Sequence, residues 1–298
     1  MNININIKTI YGGFLTLMSK LMGIDNAKKF DTWLRFHRKL NLKNPTTLAD
    51  KVSYIELHDQ SPLAAKCTDK AEVRKFVAEH GFEEILVPLI MEPVSSVEQI
   101  DFDKLPDTFV FKATHGCRMN YVVKDKNKID KVDCKRVMNK WLKTTYGTYS
   151  LEPHYLSIPP RVYAEKYIED MEGLIDYKLH CFNGEPKFFM VCTGRNDKAG
   201  QSMEVFFSLF DTEWNFIDEI VGYKNEKKGP SDIPKPKTLD KMIHIAKELS
   251  KDFKFVRVDM YEVEEKVLFG ELTFSPACCV FPYFSKQFVA QMGELLKI

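Results

Sequence analysis

The stretch FKFVRVDMYEVEEKVLFGELTFSP, residues 253–276, reads as two strands joined by a tight polar turn. Val256, Val258 and Met260 alternate with Arg257, Asp259 and Tyr261, and beyond the turn Leu272 and Phe274 alternate with Glu271 and Thr273. Period-two alternation of this kind marks a strand with one apolar and one polar face. A hairpin turning across residues 262–266 sets Arg257 and Asp259 beside Glu271 and Thr273, all on the polar face. Two carboxylates with a cation beside them suit Mg2+ carrying a polyphosphate, because Mg2+ takes hard oxygens and keeps substrate phosphates in its shell. The same alternation also fits a solvated sheet face with charges of both signs, so the neighbouring segments have to decide.

Upstream, residues 239–249 read as a helix delivering the chain into this hairpin, after a polar surface loop over 223–237. Residues 176–182 and 185–193 form a second hairpin over Asn183-Gly184, a strong turn signal. Residues 205–210 continue the sheet, with Asp211 at a turn. Residues 161–169 read as a strand running into a polar connection, and residues 131–145 as an amphipathic helix (Val132, Val137, Met138, Trp141, Leu142), followed by an aromatic loop to Tyr155. Thr108-Phe109-Val110-Phe111-Lys112 is a strand that runs into the loop His115–Asn120, with a partner strand over 121–124. A lysine ending an apolar strand before a loop rich in backbone N–H groups can cradle phosphate; equally, it can simply reach solvent. No Walker A pattern occurs.

Nearer the N-terminus, residues 86–91 read as a short strand interrupted by Pro88, and a helix runs from Thr68-Asp69-Lys70 to Gly81. Asp69 is placed to cap that helix, with Glu72 three residues on as in a capping box. Thr47 is placed to cap an earlier helix after the break at Asn44-Pro45. Phe30, Trp33, Leu34, His37 and Leu40 fall at helical spacing. Phe14, Leu15, Leu17, Met18, Leu21 and Met22 share a helix face that reads as a core or docking face, with a membrane anchor as the alternative. The apolar run there is broken by Lys20 and is too short to span a bilayer. Forty-three basic residues against forty-two acidic ones leave a net charge of +1, which gives no bulk drive toward nucleic acid. Seven cysteines without metal spacing imply a reducing, cytoplasmic setting. Hairpins interleaved with helices point to an α+β, two-lobed enzyme.

Taken in order, these segments resemble the TupA-like ATP-grasp family, named for teichuronopeptide biosynthesis and associated with bacterial capsular and cell-surface polysaccharides. The resemblance runs from about Leu40 to the C-terminus. It is carried by Asn44-Pro45, Thr68-Asp69-Lys70, Phe109-Val110-Phe111-Lys112 with His115-Gly116, Glu165-Lys166-Tyr167, Asp176-Tyr177-Lys178 with Cys181–Pro186, Arg257-Val258-Asp259 and Glu271-Leu272-Thr273. It implies an ATP-grasp fold, two α+β lobes gripping ATP. The expected divisions are an N-terminal helical segment (1–60), an N-terminal and nucleotide-covering lobe (61–160) and a C-terminal lobe with the metal site (161–298).

The resemblance also implies roles. Lys70 and Lys112 stand against the nucleotide phosphates, and the loop from His115 and Gly116 to Asn120 covers them. Glu165, Lys166, Tyr167 and Ile168 face adenine, Asp176 reaches the ribose, and Lys178 counts among the nucleotide contacts. Asp259 and Glu271, with Thr273 where an asparagine often stands, hold Mg2+, and Arg257 steadies the transferring phosphoryl group. Arg118 replaces a common glycine of the covering loop, and Ala277-Cys278-Cys279 replaces a common Pro-Gly turn. The implied enzyme is an ADP-producing carboxylate–amine ligase acting through an acyl phosphate on a uronic acid or amino acid. Its implied partners are a small-molecule or glycan carboxylate and an amine, with no nucleic acid and with room for peripheral association with membrane-bound polysaccharide machinery. The alternative is a glycosyltransferase using a nucleotide sugar, for which Asp101-Phe102-Asp103 supplies the letters of a DxD motif.

Overall fold

The computed structural model describes residues 7–59, 61–148, 151–168, 174–194 and 204–298. Glu169, read as part of a polar connection, and residues 149–150 of the aromatic loop lie outside the described residues. In chain order the first helices are α1 (Ile7–Met22), α2 (Ile24–Phe36) and α3 (Leu48–Tyr54), the last continued by a π-helical turn, Ile55–Asp59. Then follow α4 (Pro62–Thr68), α5 (Glu72–Glu79), β1 (Leu89–Val94), β2 (Phe109–Ala113), β3 (Asn120–Val123), α6 (Lys131–Leu142) and β4 (Val162–Lys166). The remainder is β5 (Asp176–Phe182), β6 (Glu185–Thr193), β7 (Val205–Asp211), β8 (Phe216–Ile217), β9 (Glu226–Lys228), α7 (Leu239–Ser250), β10 (Phe255–Val263), β11 (Lys266–Thr273) and α8 (Lys286–Leu295). The chain forms two compact units, Met1–Gly13 with Ser61–Glu169 and Phe14–Gln60 with Asp170–Ile298. The helical segment read over 1–60 thus contributes its first thirteen residues to one unit and the remainder to the other.

In the first unit four strands form a sheet in the order β1-β4-β2-β3. Phe109 and Phe111 alternate onto one face of β2, edge to face at 4.9 Å, and pack with Cys134, Met138 and Trp141 of α6. Val132, counted with that apolar face from sequence, is instead exposed. Strand β1 begins at Leu89, beyond Pro88, and continues through Pro93. Proline is tolerated there because β1 is an edge strand. Pro88 itself only accepts the Lys166 N–H through its carbonyl. Asp69 caps α5 as read: its Oδ1 accepts from Ala71 N (2.8 Å) and Glu72 N (3.2 Å). The capping box is not completed, because the Glu72 carboxylate pairs with Arg161 and Lys75.

In the second unit the strands run β11-β10-β5-β6-β7-β8, with β9 parallel to β7. Asn183 and Gly184 take left-handed φ values of 51° and 78°, as a two-residue hairpin demands. The β10–β11 hairpin turns tightly at Glu264 and Glu265, where Val263 faces Lys266. A bulge interrupts its register between Asp259 and Met260. The extra residue is Gly270, where a Cβ would stand 2.9 Å from the Asp259 carbonyl oxygen. This bulge lets Phe269 pair with Met260 on the apolar face while Glu271 pairs with Asp259 on the other.

Helix α7 covers the Val256/Val258 face, where the Cys181 thiol meets the Ala246 carbonyl. On the opposite face Phe182, Phe188 and Phe255 join an aromatic core with Phe281, Phe284 and Phe288. Helix α8, which the sequence reading did not mark, supplies Phe288 and Val289 to that core and packs on α3. Both sheet faces are therefore covered, and the polar face is buried at Arg257 and Asp259, unlike the solvated face that the alternation also allowed.

His180 lies wholly inside this aromatic core, stacked on Phe188 at 4.4 Å. Burial, assisted by the nearby Arg257 charge, pushes its imidazole well below the ordinary histidine range. The unfolded chain therefore takes up the proton first, and stability is lost as pH falls below about 6.5, by at most about 1.4 kcal/mol per pH unit from this group. His180→Phe is expected to flatten that loss in denaturant titrations at about pH 7.5 and about pH 5.5. An unchanged slope would show that another group is responsible.

Candidate functional site

Alternation along β5 and β10 places Asp176, Lys178, Arg257 and Asp259 on one face, in the register Lys178 to Asp259 and His180 to Arg257. Arg257 forks onto Asp259, Nε donating to Oδ1 at 2.6 Å and Nη2 to Oδ2 at 2.7 Å. Lys178 Nζ donates to Asp259 Oδ2 at 2.5 Å and lies 2.7 Å from Asp176 Oδ2. All four are buried. Burial alone would lower the Arg257 guanidinium, but the Asp259 carboxylate outweighs it and holds the group above its ordinary value. The quartet is formally neutral. On β11, Thr273 accepts from Arg257 at 3.1 Å and donates to Glu271 Oε1 at 3.0 Å. The Glu271 side chain is one-third exposed and lies 3.9 Å from Arg257.

Five of the residues read as phosphate, ribose or metal groups, together with Thr273, thus meet on one sheet face. Among the described residues no cluster of three or more His, Cys, Asp or Glu is assembled. The donor set still fits a hard divalent cation, since Mg2+ is usually held by one or two carboxylates plus substrate phosphates. Glu271 presents a partly exposed carboxylate. Asp259 accepts three N–H donors, and a carboxylate offers about four lone-pair positions, so a further ligand can be met.

The first unit holds a second group. Lys112 and Glu165 point from the same face of β2 and β4 and form a salt bridge. The lysine at the end of β2 is therefore paired and does not simply reach solvent. Lys70 follows the Asp69 cap, and its backbone N–H bonds the Thr114 carbonyl at 3.2 Å, which fixes it beside the start of the loop after β2. Lys166 is exposed, Tyr167 is buried with the Lys124 ammonium 6.0 Å from its ring, and Ile168 is half-buried. Gly116 sits against Met119 and Tyr146. His115 differs from the expectation of a phosphate-facing residue. It is buried, and its Nε2 is spent on the Trp141 carbonyl at 3.0 Å, because the loop turns inward onto the end of α6.

Arg118 has φ 58°, and Ala277, Cys278 and Cys279 have φ 48°, 55° and 67°. Both departures from glycine keep the left-handed backbone that glycine adopts freely, at a cost of order 1 kcal/mol or more each. Arg161 was missed from sequence. It bonds Asp69 Oδ2 at 2.7 Å and Glu72 Oε1 at 3.3 Å, tying α5 to the start of β4. Its signal was only its place after Pro159-Pro160. Asp101 and Asp103 lie in a surface 3-10 turn, Asp101 accepting from Asp103 N at 3.2 Å and Asp103 pairing with Lys131. The DxD letters are thus used in local turn and surface contacts.

No curated protein matches the chain. Among solved structures, an L-amino acid ligase from Bacillus licheniformis superposes with TM-score 0.50 at 12% identity, over 91% of this chain and 60% of that one. A D-alanine–D-alanine ligase from Bacillus anthracis complexed with ATP gives TM-score 0.42 at 16% identity, over 70% of this chain and 55% of that one. The chain thus spans little more than half the length of these two ligases. A family model described as TupA-like ATPgrasp matches residues 50–297. The fold is an α+β ATP-grasp fold with helices at its N-terminus, and the chain belongs to the TupA-like ATPgrasp family.

Proposed function

We propose that the chain is an ATP-dependent carboxylate–amine ligase that forms ADP, an acyl phosphate and then an amide. The carrying observation is the buried quartet Asp176, Lys178, Arg257 and Asp259 ending at the part-exposed Glu271. Hydrophobic residues of similar volume would stabilise a sheet face as well or better, so stability gives no reason to bury four charges there. Recognition of a polyanion does.

In this reading Asp259 and Glu271, with the Thr273 hydroxyl, hold Mg2+, which when bound neutralises phosphate charge and polarises the phosphoryl group. Arg257, fixed by Asp259 and Thr273, holds a guanidinium in place where charge develops on the transferred phosphoryl. Lys178 is held between Asp176 and Asp259 and offers its remaining N–H to a phosphate oxygen. Lys70 and Lys112 bind nucleotide phosphates, with Glu165 orienting Lys112. The segment from Lys166 to Ile168 contacts adenine, and Asp176 keeps Lys178 in place as well as reaching the ribose. His115 anchors the covering loop. The substrates are a uronic acid or amino acid carboxylate and an amine, in the building of a capsular or cell-surface polysaccharide. The enzyme works in the cytoplasm beside membrane-bound polysaccharide machinery.

Lys112→Ala tests the nucleotide assignment. A charged hydrogen bond to phosphate is worth about 1.5–3 kcal/mol, so ATP affinity by calorimetry should fall roughly ten- to hundredfold. The variant also leaves the buried Glu165 without its partner, and the melting temperature should drop with it. Adding Glu165→Gln should restore stability without restoring affinity. Wild-type ATP affinity in Lys112→Ala would remove the lysine from the site.

A further inference from the structure

Helices α1 and α2 are built with their apolar residues outward. On α1 the exposed positions Phe14, Leu17 and Leu21 follow one another at helical spacing, Leu17 being 55% and Leu21 75% exposed. On α2 Trp33 is 52% exposed and Leu34 43%. The two patches are continuous through Phe30, whose ring lies 6.1 Å from Phe14 and 6.3 Å from Trp33. The inward face of α2 is mostly polar: beside Ala27, Lys28, Asp31 and Thr32 are completely buried. A helix facing only water and its own core would be arranged the other way round. A large exposed apolar patch of this kind marks a surface with a second environment.

The charge pattern says which environment. Residues 1–43 carry eight lysines and arginines against two aspartates, whereas the whole chain nets +1, so the remainder is net acidic. No acidic residue occurs among residues 1–24. Of the two aspartates, Asp31 is buried against Arg35 and Asp25 bonds His58 at 2.7 Å. Lys20 is exposed between Leu17 and Leu21 on the stripe itself, and Lys39 and Lys43 are exposed further on. Among the described residues no helix is long and apolar enough to cross a membrane. An apolar face flanked by basic residues lies in the plane of a bilayer interface, the apolar side chains entering the headgroup boundary and the cations meeting anionic lipid. A half-exposed tryptophan suits that boundary. We propose that the outer face of α1 and α2 docks the protein on an anionic phospholipid surface.

The test uses the full chain without nucleotide or acceptor, so its failure leaves the ligase reading untouched. Flotation is measured with vesicles of phosphatidylcholine alone and of phosphatidylcholine and phosphatidylglycerol in equal parts. Binding is expected to the anionic vesicles, weakened by salt, with a blue shift of tryptophan emission that Trp33→Phe removes. Leu17→Gln with Leu21→Gln should lower partitioning roughly a hundredfold while leaving the melting temperature unchanged, since both side chains start in water. Lys20→Glu with Lys39→Glu should lower it roughly ten- to hundredfold by reversing charge at the surface. Failure to float with anionic vesicles would overturn the proposal, as would unchanged partitioning of the leucine variant. A lipid-free dimer that the leucine variant dissolves would overturn it too, giving the face to a second copy of the chain.

Discussion

Asp259→Asn is expected to destabilise the second unit by about 3–5 kcal/mol, the cost of removing one partner from a buried ion pair. The carboxylate faces two cations at once: the Arg257 fork and the Lys178 ammonium both rest on it. Neutralising it leaves a buried region with two positive charges against Asp176 alone. The amide is close in shape, so packing of the Val256/Val258 face should survive and the loss should be electrostatic. Asp259→Asn combined with Lys178→Met should recover much of the stability, because the charge count balances again. Both are measured by denaturant unfolding. A near-wild-type midpoint for Asp259→Asn alone would show that its loss leaves no uncompensated charge on Arg257 and Lys178.

Glu271→Gln is expected to separate function from folding at the same site. Its side chain is one-third exposed and touches the quartet through Thr273 and, at 3.9 Å, Arg257. The melting temperature should stay within the scatter of a surface substitution, about ±0.5 kcal/mol in stability. ADP formation, by contrast, should fall by about a hundredfold or more, since one negative charge opposite a divalent ion is lost. If Asp259 and Glu271 serve one ion, adding Asp259→Asn should lower turnover little further, because groups that act as a unit are strongly non-additive. Multiplicative losses would mean that the two carboxylates act separately.

The hairpin that organises the second unit was legible because alternation in Arg257-Val258-Asp259 and Glu271-Leu272-Thr273 carries its own register. Asn183-Gly184 fixed the neighbouring hairpin in the same way, through residues that tolerate a left-handed backbone. Local chemistry was also enough for the caps at Thr47 and Asp69. What sequence could not give was which polar face would be covered. Alternation looks the same whether charged side chains meet water or one another, and Lys178 stands across a strand pair from Asp259, 81 residues away in sequence. The pairing of Lys112 with Glu165 was hidden for the same reason, being a contact between β2 and β4. His115 reads as a loop residue, and only the position of α6 shows that its ring turns inward. The outward apolar faces of α1 and α2 are the reverse case. Periodicity found the stripe on α1 and assigned it to a core or docking face, yet Leu17 and Leu21 face water and only Leu15 is fully buried there.

The most direct test of the ligase reading is the identity of the nucleotide product. Purified protein is incubated with ATP and Mg2+, together with panels of uronic acids, amino acids and amines, and the nucleotides are separated. ADP and phosphate should form in equal amounts, only when both a carboxylate and an amine are present, and removal of Mg2+ should stop the reaction. Release of AMP and pyrophosphate would contradict the acyl-phosphate route, and UDP release from a nucleotide sugar would place the protein among the glycosyltransferases instead.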